Sequence, residues 1–248
     1  PRQIKAVIVT HAHLDHIGRL PMLVRNGYRG PIYATKATIE LATLVLEDAL
    51  GLAIDRHERE GKPLLYDQAD YNRTIHQFHS VVYRKDVKLG SGDNFTLFDA
   101  GHILGSASVL LEAGGKKIVF SGDLGHWPNP LLEAPESPPE ADLIVTEATY
   151  GGEKHKEAGE RIEIVRKALE WTSQNNGVLL IPSFSIERTQ ELLFLMHELF
   201  DAHKMPKLPI FLDSPLAIKA LEIFQRHYDL YRDEIADEIH RHHNLFDF

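Results

Sequence analysis

The chain has 248 residues, of which 43% are hydrophobic and 25% charged, a composition typical of a globular protein with one large or two small domains. It has no cysteine, which excludes disulfide bonds and thiolate metal ligands, and its net charge of −9 argues mildly against a broad nucleic-acid-binding face. Because no apolar run approaches the roughly 20 residues that span a bilayer, and no signal peptide is evident, we expect a cytoplasmic protein without a membrane partner.

The first half of the chain predicts a mixed β-sandwich covered by helices. Apolar runs at residues 6–9 and 32–34 predict strands, and apolar residues at helical spacing predict a helix over 38–50. Residues 51–72 are charged, and either helix or loop fits them. Short strands are then predicted at 80–83, 95–98, 108–111 and 117–120. The Gly114-Gly115 pair between the last two strands predicts a hairpin.

The second half alternates strands and helices, which is typical of a parallel α/β domain. Residues 127–142 contain five prolines and predict a surface loop. The elements predicted after this loop are a strand at 143–145, a helix at 158–174, a strand at 178–181, a helix at 186–202 and a strand at 209–212. We place the domain boundary at Gly151-Gly152, which gives a first domain over 1–152 and a second over 153–248.

The segment His11-Ala12-His13-Leu14-Asp15-His16 contains four metal-binding side chains and follows the first predicted strand. Side chains alternate along extended backbone, so His11 and His13 point to the same side. Asp15 and His16 fall where the chain turns and neighbouring side chains diverge, so one loop can present ligands to two metal ions. Imidazole and carboxylate suit Zn²⁺ and, less well, Mn²⁺ or Fe²⁺. The segment predicts a metal site.

Three later residues of ligand type also follow predicted strands. His102 lies in a glycine-flanked turn, which indicates that the backbone there approaches another group closely. Asp123 follows the strand at 117–120, and its two carboxylate oxygens can bridge two metals. Glu147 follows the strand at 143–145. Each residue alone is more often an ordinary loop residue, but the three together strengthen the prediction of a metal site.

These residues resemble the metallo-β-lactamase superfamily and, within it, the β-CASP group of RNA- and DNA-processing nucleases. The metal-binding positions that match are His11, His13, Asp15, His16, His102 and Asp123. Glu147 resembles the acidic residue of the β-CASP motif, and segments 182–192 and 212–217 resemble parts of the inserted β-CASP domain. The resemblance implies an α/β fold, namely a partial αββα metallo-β-lactamase sandwich with a partial inserted β-CASP domain.

The resemblance also implies roles for the site residues. Two Zn²⁺ ions, with Mn²⁺ as an alternative, would be held by His11, His13 and His102 on one side, by Asp15 and His16 on the other, and by a bridging Asp123. Asp15, Asp123 and Glu147 would be the catalytic residues, with Glu147 positioning a histidine acid outside the present chain. Ser183 and Arg188, at a strand-to-helix turn, would bind a substrate phosphate. An ion pair of Arg188 with Glu187 or Glu191 is the equal alternative.

The implied function is hydrolysis of phosphodiester bonds in single-stranded RNA, with DNA as the alternative polymer and endo- or exonuclease action left open. A small-molecule hydrolase of the same fold and a non-catalytic scaffold subunit are the alternatives. The segment from residue 158 onward argues against the first, and the intact ligand positions argue against the second. A homodimer is left open. The resemblance further implies that the chain is truncated at both ends, so we expect little turnover by residues 1–248 alone.

Overall fold

A computed structural model describes residues 1–90, 92–153, 158–202 and 208–242. The chain divides into two compact units, the first formed by residues 1–126 and 135–147 and the second by residues 127–134 and 148–248. The chain therefore enters the second unit at Trp127, returns to the first at Pro135 and leaves it again at Ala148. The predicted domain boundary between residues 152 and 153 stays a prediction.

The first unit begins with a parallel sheet and the helices that connect its strands. The sheet order is β1 (Val7–Ile8), β2 (Ile32–Ala34), β3 (Phe78–Ser80). Helices α1 (Leu14–Ile17) and α2 (Leu20–Arg25) follow β1, and α3 (Lys36–Glu60) and α4 (Gln68–His76) follow β2. Helix α3 runs ten residues beyond its predicted end and stops at Gly61, whose φ of 69° gives the left-handed conformation that ends many helices.

A second sheet completes the first unit. Its order is β4 (Val87–Gly90), β5 (Asp93–Asp99), β6 (Ala107–Ala113), β7 (Lys116–Phe120), β8 (Leu143–Val145), antiparallel except for the parallel β7–β8 pair. Gly114 and Gly115 join β6 to β7 with φ angles of 59° and 76°, the positive values that a tight two-residue hairpin needs. The predicted hairpin is thus confirmed, whereas the predicted strand at 80–83 lies earlier, at β3.

The two sheets pack face to face, as predicted for a sandwich. Phe95 and Leu97 of β5 are fully buried and form a core cluster with Val109 of β6, against which Ile8 and Tyr33 of the first sheet pack. The alternate residues of the second sheet point the other way and form a separate buried cluster that consists of Phe98, Leu110 and Val119. The period-two alternation of strands explains this division. The core therefore fixes the strand ends from which the candidate ligands project.

The second unit is helical in its described part. Its elements are α5 (Ala158–Gln174), α6 (Arg188–Asp201), α7 (Pro215–Arg226), a 3₁₀ turn (Tyr228–Leu230) and α8 (Asp233–His242). The proline-rich loop is only partly a surface loop, because Asn129, Leu131 and Leu132 are buried, and Leu132 forms a bridge with Tyr231. No helix in the described ranges is long and apolar enough to cross a bilayer.

The strands predicted at 178–181 and 209–212 are not observed as strands. Within the described part of the chain neither segment pairs with a neighbouring strand. Their apolar side chains are open to solvent, with Val178 at 95%, Leu180 at 87% and Phe211 at 88% exposure. A strand needs hydrogen bonds from a partner as well as an apolar sequence, and composition alone does not supply the partner.

Candidate metal centre

The His-rich segment follows β1 and turns into the short helix α1. The backbone stays extended after β1, because Val9 N–H donates to Tyr33 O at 2.8 Å and Thr10 O accepts from Ala107 N–H at 2.7 Å. His13 is the last extended residue before α1, and Asp15 lies in the first turn of that helix. The fully buried Ile17 anchors the helix to the core. The predicted change of direction between His13 and Asp15 is therefore built from a single helical turn.

The loop that carries His102 connects β5 to β6 and is held by its glycines. Gly101 and Gly105 have φ angles of 58° and 78°. A Cβ atom on Gly105 would lie 2.6 Å from Thr35 Oγ1, closer than such contacts allow. The predicted close backbone approach at this loop is confirmed, and the group that approaches is the start of helix α3.

The loop that carries Asp123 follows β7 and lies directly against the His102 loop. Gly125 N–H donates to Ala100 O at 2.8 Å. A Cβ atom on Gly125 would be only 1.6 Å from Gly101 O, so no other residue fits this backbone without movement. The ends of β1, β5 and β7 thus bring three loops to one edge of the sandwich.

Four predicted ligands converge where these loops meet. His11, His13, His102 and Asp123 each offer an atom within 4.8 Å of all the others. His102 Nε2 lies 3.1 Å from His13 Nδ1 and 3.7 Å from Asp123 Oδ2, and His11 Nε2 lies 3.6 Å from the same carboxylate oxygen. Three ring nitrogens and one carboxylate oxygen therefore face a common point.

Asp15 and His16 form a second group that shares Asp123. His16 Nε2 lies 3.4 Å from Asp15 Oδ2 and 3.4 Å from Asp123 Oδ1. The two oxygens of the Asp123 carboxylate therefore face different histidine groups, with Oδ2 toward His11 and His102 and Oδ1 toward His16. This is the arrangement expected of a bridging carboxylate.

The electrostatics of the cluster favour neutral imidazoles. His11 is fully buried, and its Nε2 has no hydrogen-bond partner among the described residues. Burial, together with the neighbouring histidines, lowers the pKa of His11 to about 2. Burial and His13 lower the pKa of His102 to about 4, and burial also lowers that of His13. A buried polar atom without a partner is costly. The orphaned nitrogen among imidazole and carboxylate donors therefore fits a metal ion that prefers N and O ligands.

Glu147 lies beside the Asp123 loop in the first unit. Its Oε1 accepts the backbone N–H of Leu124 at 2.8 Å, and its own N–H donates to Ser121 Oγ at 3.0 Å. The carboxylate is therefore hydrogen-bonded to the residue that follows Asp123. Its predicted catalytic role stays a prediction.

Ser183 and Arg188 lie in the second unit, before and at the start of α6. Arg188 Nη1 donates to Glu191 Oε2 at 2.7 Å, which is one of the two ion pairs considered as the alternative to phosphate binding. The preceding Glu187 has φ 67° and ψ −62°, and Arg188 N–H donates to Ile186 O at 3.0 Å. These values describe a classic γ-turn, a rare and strained conformation. Phosphate binding by Ser183 and Arg188 stays a prediction.

Sequence reasoning missed the hydroxyl groups that support the ligands. Thr10 Oγ1 lies 3.0 Å from His11 Nδ1, and Ser106 Oγ accepts the backbone N–H of His102 at 3.0 Å. Thr10 directly precedes the His-rich segment, and Ser106 follows His102 by four residues, so their proximity was a usable signal. Thr35 and Thr38 also contact the His102 loop but lie almost 70 residues away, where no local pattern identifies them.

Comparison with known proteins places the chain in a family. The model of the β-lactamase superfamily domain matches residues 1–174, and the model of the β-CASP domain matches residues 189–248. The chain is 38% identical over 235 residues to Ribonuclease TTHA0252 of Thermus thermophilus, which covers 95% of the chain and 52% of that protein.

Two further relatives come from other kinds of organism. The chain is 32% identical over 250 residues to transcription termination factor FttA of Methanothermobacter thermautotrophicus, covering 98% of the chain and 38% of the relative. It is 30% identical over 235 residues to Endoribonuclease ysh1 of Schizosaccharomyces pombe, covering 94% and 30%. The chain thus spans about half of the Thermus protein and about a third of the other two. The sandwich, the ligand cluster and both domain matches agree that this chain belongs to the metallo-β-lactamase superfamily, in its β-CASP group.

Proposed function

We propose that the protein is a metal-dependent ribonuclease that hydrolyses phosphodiester bonds in single-stranded RNA. The observation that carries this proposal is the Asp123 carboxylate, whose two oxygens face two separate groups of ligands. The names of two relatives, a ribonuclease and an endoribonuclease, support cleavage of RNA. They favour RNA over DNA, which we keep as the alternative polymer.

The cluster would hold two divalent ions, Zn²⁺ being our proposal and Mn²⁺ the alternative. One ion would be bound by His11, His13 and His102, the other by Asp15 and His16, with Asp123 shared. Such ions supply a water of lowered pKa and stabilise the negative charge on the attacking and leaving oxygens. They would also add positive charge where a phosphate sits, and this local charge outweighs the net charge of −9.

The residues of the chain prepare this chemistry by position and charge state. Burial keeps His11 and His102 unprotonated near neutral pH, so their ring nitrogens stay available as donors. The side chain of Asp15 is 80% exposed, so its carboxylate can contact and orient a water that approaches from solvent. Glu147, fixed by the Leu124 N–H, would hold a proton-donating group beside Asp123.

The alternatives are less well supported. A small-molecule hydrolase has no use for the β-CASP domain that residues 189–248 match. A scaffold subunit has no need of a ligand cluster in which every predicted position is present. A cytoplasmic location and a homodimer are further proposals from the sequence, and size-exclusion chromatography with light scattering tests the second.

The test uses the full-length protein with end-labelled single-stranded RNA and DNA of one sequence, with and without EDTA. We expect RNA cleavage that EDTA abolishes and that Asp123→Asn lowers by at least about 100-fold, the size of effect that removing a charge-stabilising group produces. Asp55→Asn, the same chemical change at an exposed position of α3, should retain full activity. Failure to cleave either polymer while metal remains bound would contradict the proposal and favour a small-molecule hydrolase.

A further inference from the structure

Two threonines at the start of helix α3 donate hydrogen bonds to a single backbone carbonyl in the His102 loop. Thr35 Oγ1 donates to Gly105 O at 2.7 Å, and Thr38 Oγ1 donates to the same oxygen at 2.8 Å. Thr38 is fully buried and Thr35 nearly so. Thr35 also caps the helix, because its hydroxyl oxygen accepts the Thr38 N–H at 3.1 Å. We call Thr35 and Thr38 the threonine clamp.

The loop lies directly on the start of the helix at this point. Gly105 has a φ of 78°, and a Cβ atom there would lie 2.6 Å from Thr35 Oγ1 and 2.8 Å from Ala37 Cβ. With both partners packed this closely, the Gly105 carbonyl can move only if the first turn of α3 moves with it. The clamp thus couples the His102 loop to a helix of 25 residues.

The constraint continues from Gly105 to His102 through Ser106. Ser106 Oγ accepts the N–H groups of His102 and Ile103 at 3.0 and 3.3 Å, and Ser106 N–H donates to Ile103 O at 2.8 Å. The hydroxyl of the partly buried Tyr83 donates to Ser106 O at 2.7 Å. The loop is therefore closed on itself and held from outside at two consecutive carbonyls, those of Gly105 and Ser106.

The position of His102 matters because its Nε2 shares a small space with His13 Nδ1, only 3.1 Å away. We propose that the threonine clamp and Tyr83 are positioning residues for the metal centre, which hold His102 where its ring nitrogen can bind the same ion as His11 and His13. The proposal depends on the proposed function, since it assumes that the cluster binds metal. Groups that orient a metal ligand typically change metal affinity by 10- to 100-fold.

The experiment measures metal affinity in the full-length protein and its Thr38→Val variant by competition with a chromophoric zinc chelator. The absorption spectrum of the Co²⁺-loaded protein reports the ligand geometry independently of activity. We expect Thr38→Val to weaken Zn²⁺ binding about 10-fold or more and to change the Co²⁺ spectrum. Thr38→Ser, which keeps the hydroxyl, should restore both.

The matched control is Thr74→Val. Thr74 is also fully buried, and its hydroxyl also donates to a backbone carbonyl at 2.8 Å, that of Asp70, but within its own helix α4. Removing it should lower thermal stability about as much as Thr38→Val does and leave the Zn²⁺ affinity and the Co²⁺ spectrum unchanged. A general loss of packing would affect both variants alike, so the contrast isolates positioning.

The outcomes separate this inference from the proposed function. Absence of metal binding by the wild-type protein would overturn the proposed function itself. A wild-type protein that binds metal, with Thr38→Val equal to it in affinity and spectrum, would overturn the clamp alone. Should Thr38→Val not fold, Tyr83→Phe removes only the hydroxyl bound to Ser106 O. A several-fold loss of Zn²⁺ affinity is then expected, and unchanged affinity would contradict the proposal.

Discussion

The two units of the molecule hold their predicted site residues in different ways. In the first unit the candidate ligands follow strands of paired sheets, so hydrogen-bonded backbone places His11, His102 and Asp123. In the second unit Arg188 follows a strained γ-turn and is fixed by a side-chain contact with Glu191. Backbone pairing therefore determines where the candidate ligands lie, whereas the position of the Arg188 guanidinium depends on its side-chain partner.

His11→Ala removes a candidate ligand of the first unit and should weaken metal binding more than the substitutions that follow. The ring is fully buried, and its Nε2 faces Asp123, so its loss removes a ligand and leaves a cavity. We expect metal affinity to fall by more than about 100-fold, beyond the range for groups that only orient a ligand. Isothermal titration calorimetry with Zn²⁺ measures the affinity of the variant and of the wild type. A variant that binds zinc like the wild type would show that His11 is a core residue and not a ligand.

Gly125→Ala tests whether backbone packing places the ligands. The added Cβ would overlap Gly101 O, so the His102 and Asp123 loops must separate. We expect a loss of about 1–3 kcal/mol in the free energy of unfolding, the usual cost of overpacking, together with weaker metal binding. Chemical denaturation and zinc competition measure the two effects. A less stable variant with unchanged zinc affinity would mean that separating the two loops does not displace the ligands.

Arg188→Ala tests whether the arginine of the second unit binds an RNA phosphate. We expect single-stranded RNA to bind several-fold more weakly, with the slope of log affinity against log salt reduced by about one, as for the loss of a phosphate contact. Metal affinity should not change. Glu191→Gln is the companion variant, because it removes the ion pair and keeps the arginine. If neither variant changes RNA affinity while both lower stability, the Arg188–Glu191 pair is purely structural.

Gly51→Ala is a control for Gly125→Ala and should have the smallest effect on stability and on metal binding. Gly51 lies within α3, and a Cβ atom there would meet nothing within 4 Å among the described residues. Because glycine is a poor helix former, the substitution should stabilise the protein by about 0.5–1 kcal/mol without affecting metal or RNA binding. Denaturation curves check the sign. A destabilised variant would mean that the helix surface at Gly51 is packed against a further part of the protein.

The sequence predicted those features whose causes are local. The His-rich segment, the Gly114-Gly115 hairpin and the exact range of α5 all follow from residues close together in the chain. The apolar composition of residues 178–181 and 209–212 predicts strands that the described part of the structure does not contain, because pairing depends on a distant partner. The burial of Asn129, Leu131 and Leu132 has a related cause, since a proline-rich sequence predicts a loop but does not show that Asn129 donates a hydrogen bond to the distant Glu191.

In the candidate site, too, local features were predictable from the sequence and distant contacts were not. Alternation of side chains along the strand predicts that His11 and His13 lie on one side, and the glycines beside His102 predict a close backbone contact. Neither pattern identifies the group in contact, because Thr35 and Thr38 precede Gly105 by 70 and 67 residues. Only the folded chain shows which hydroxyl groups support which ligand.

The bridging role of Asp123 is tested by the metal content of the full-length protein and of its Asp123→Asn variant, measured by elemental analysis after purification without chelators. If Asp123 bridges two ions, the wild-type protein should carry about two divalent metals per chain and the variant one or fewer. Equal metal content in the two proteins would show that the carboxylate between the two histidine groups is not a metal ligand.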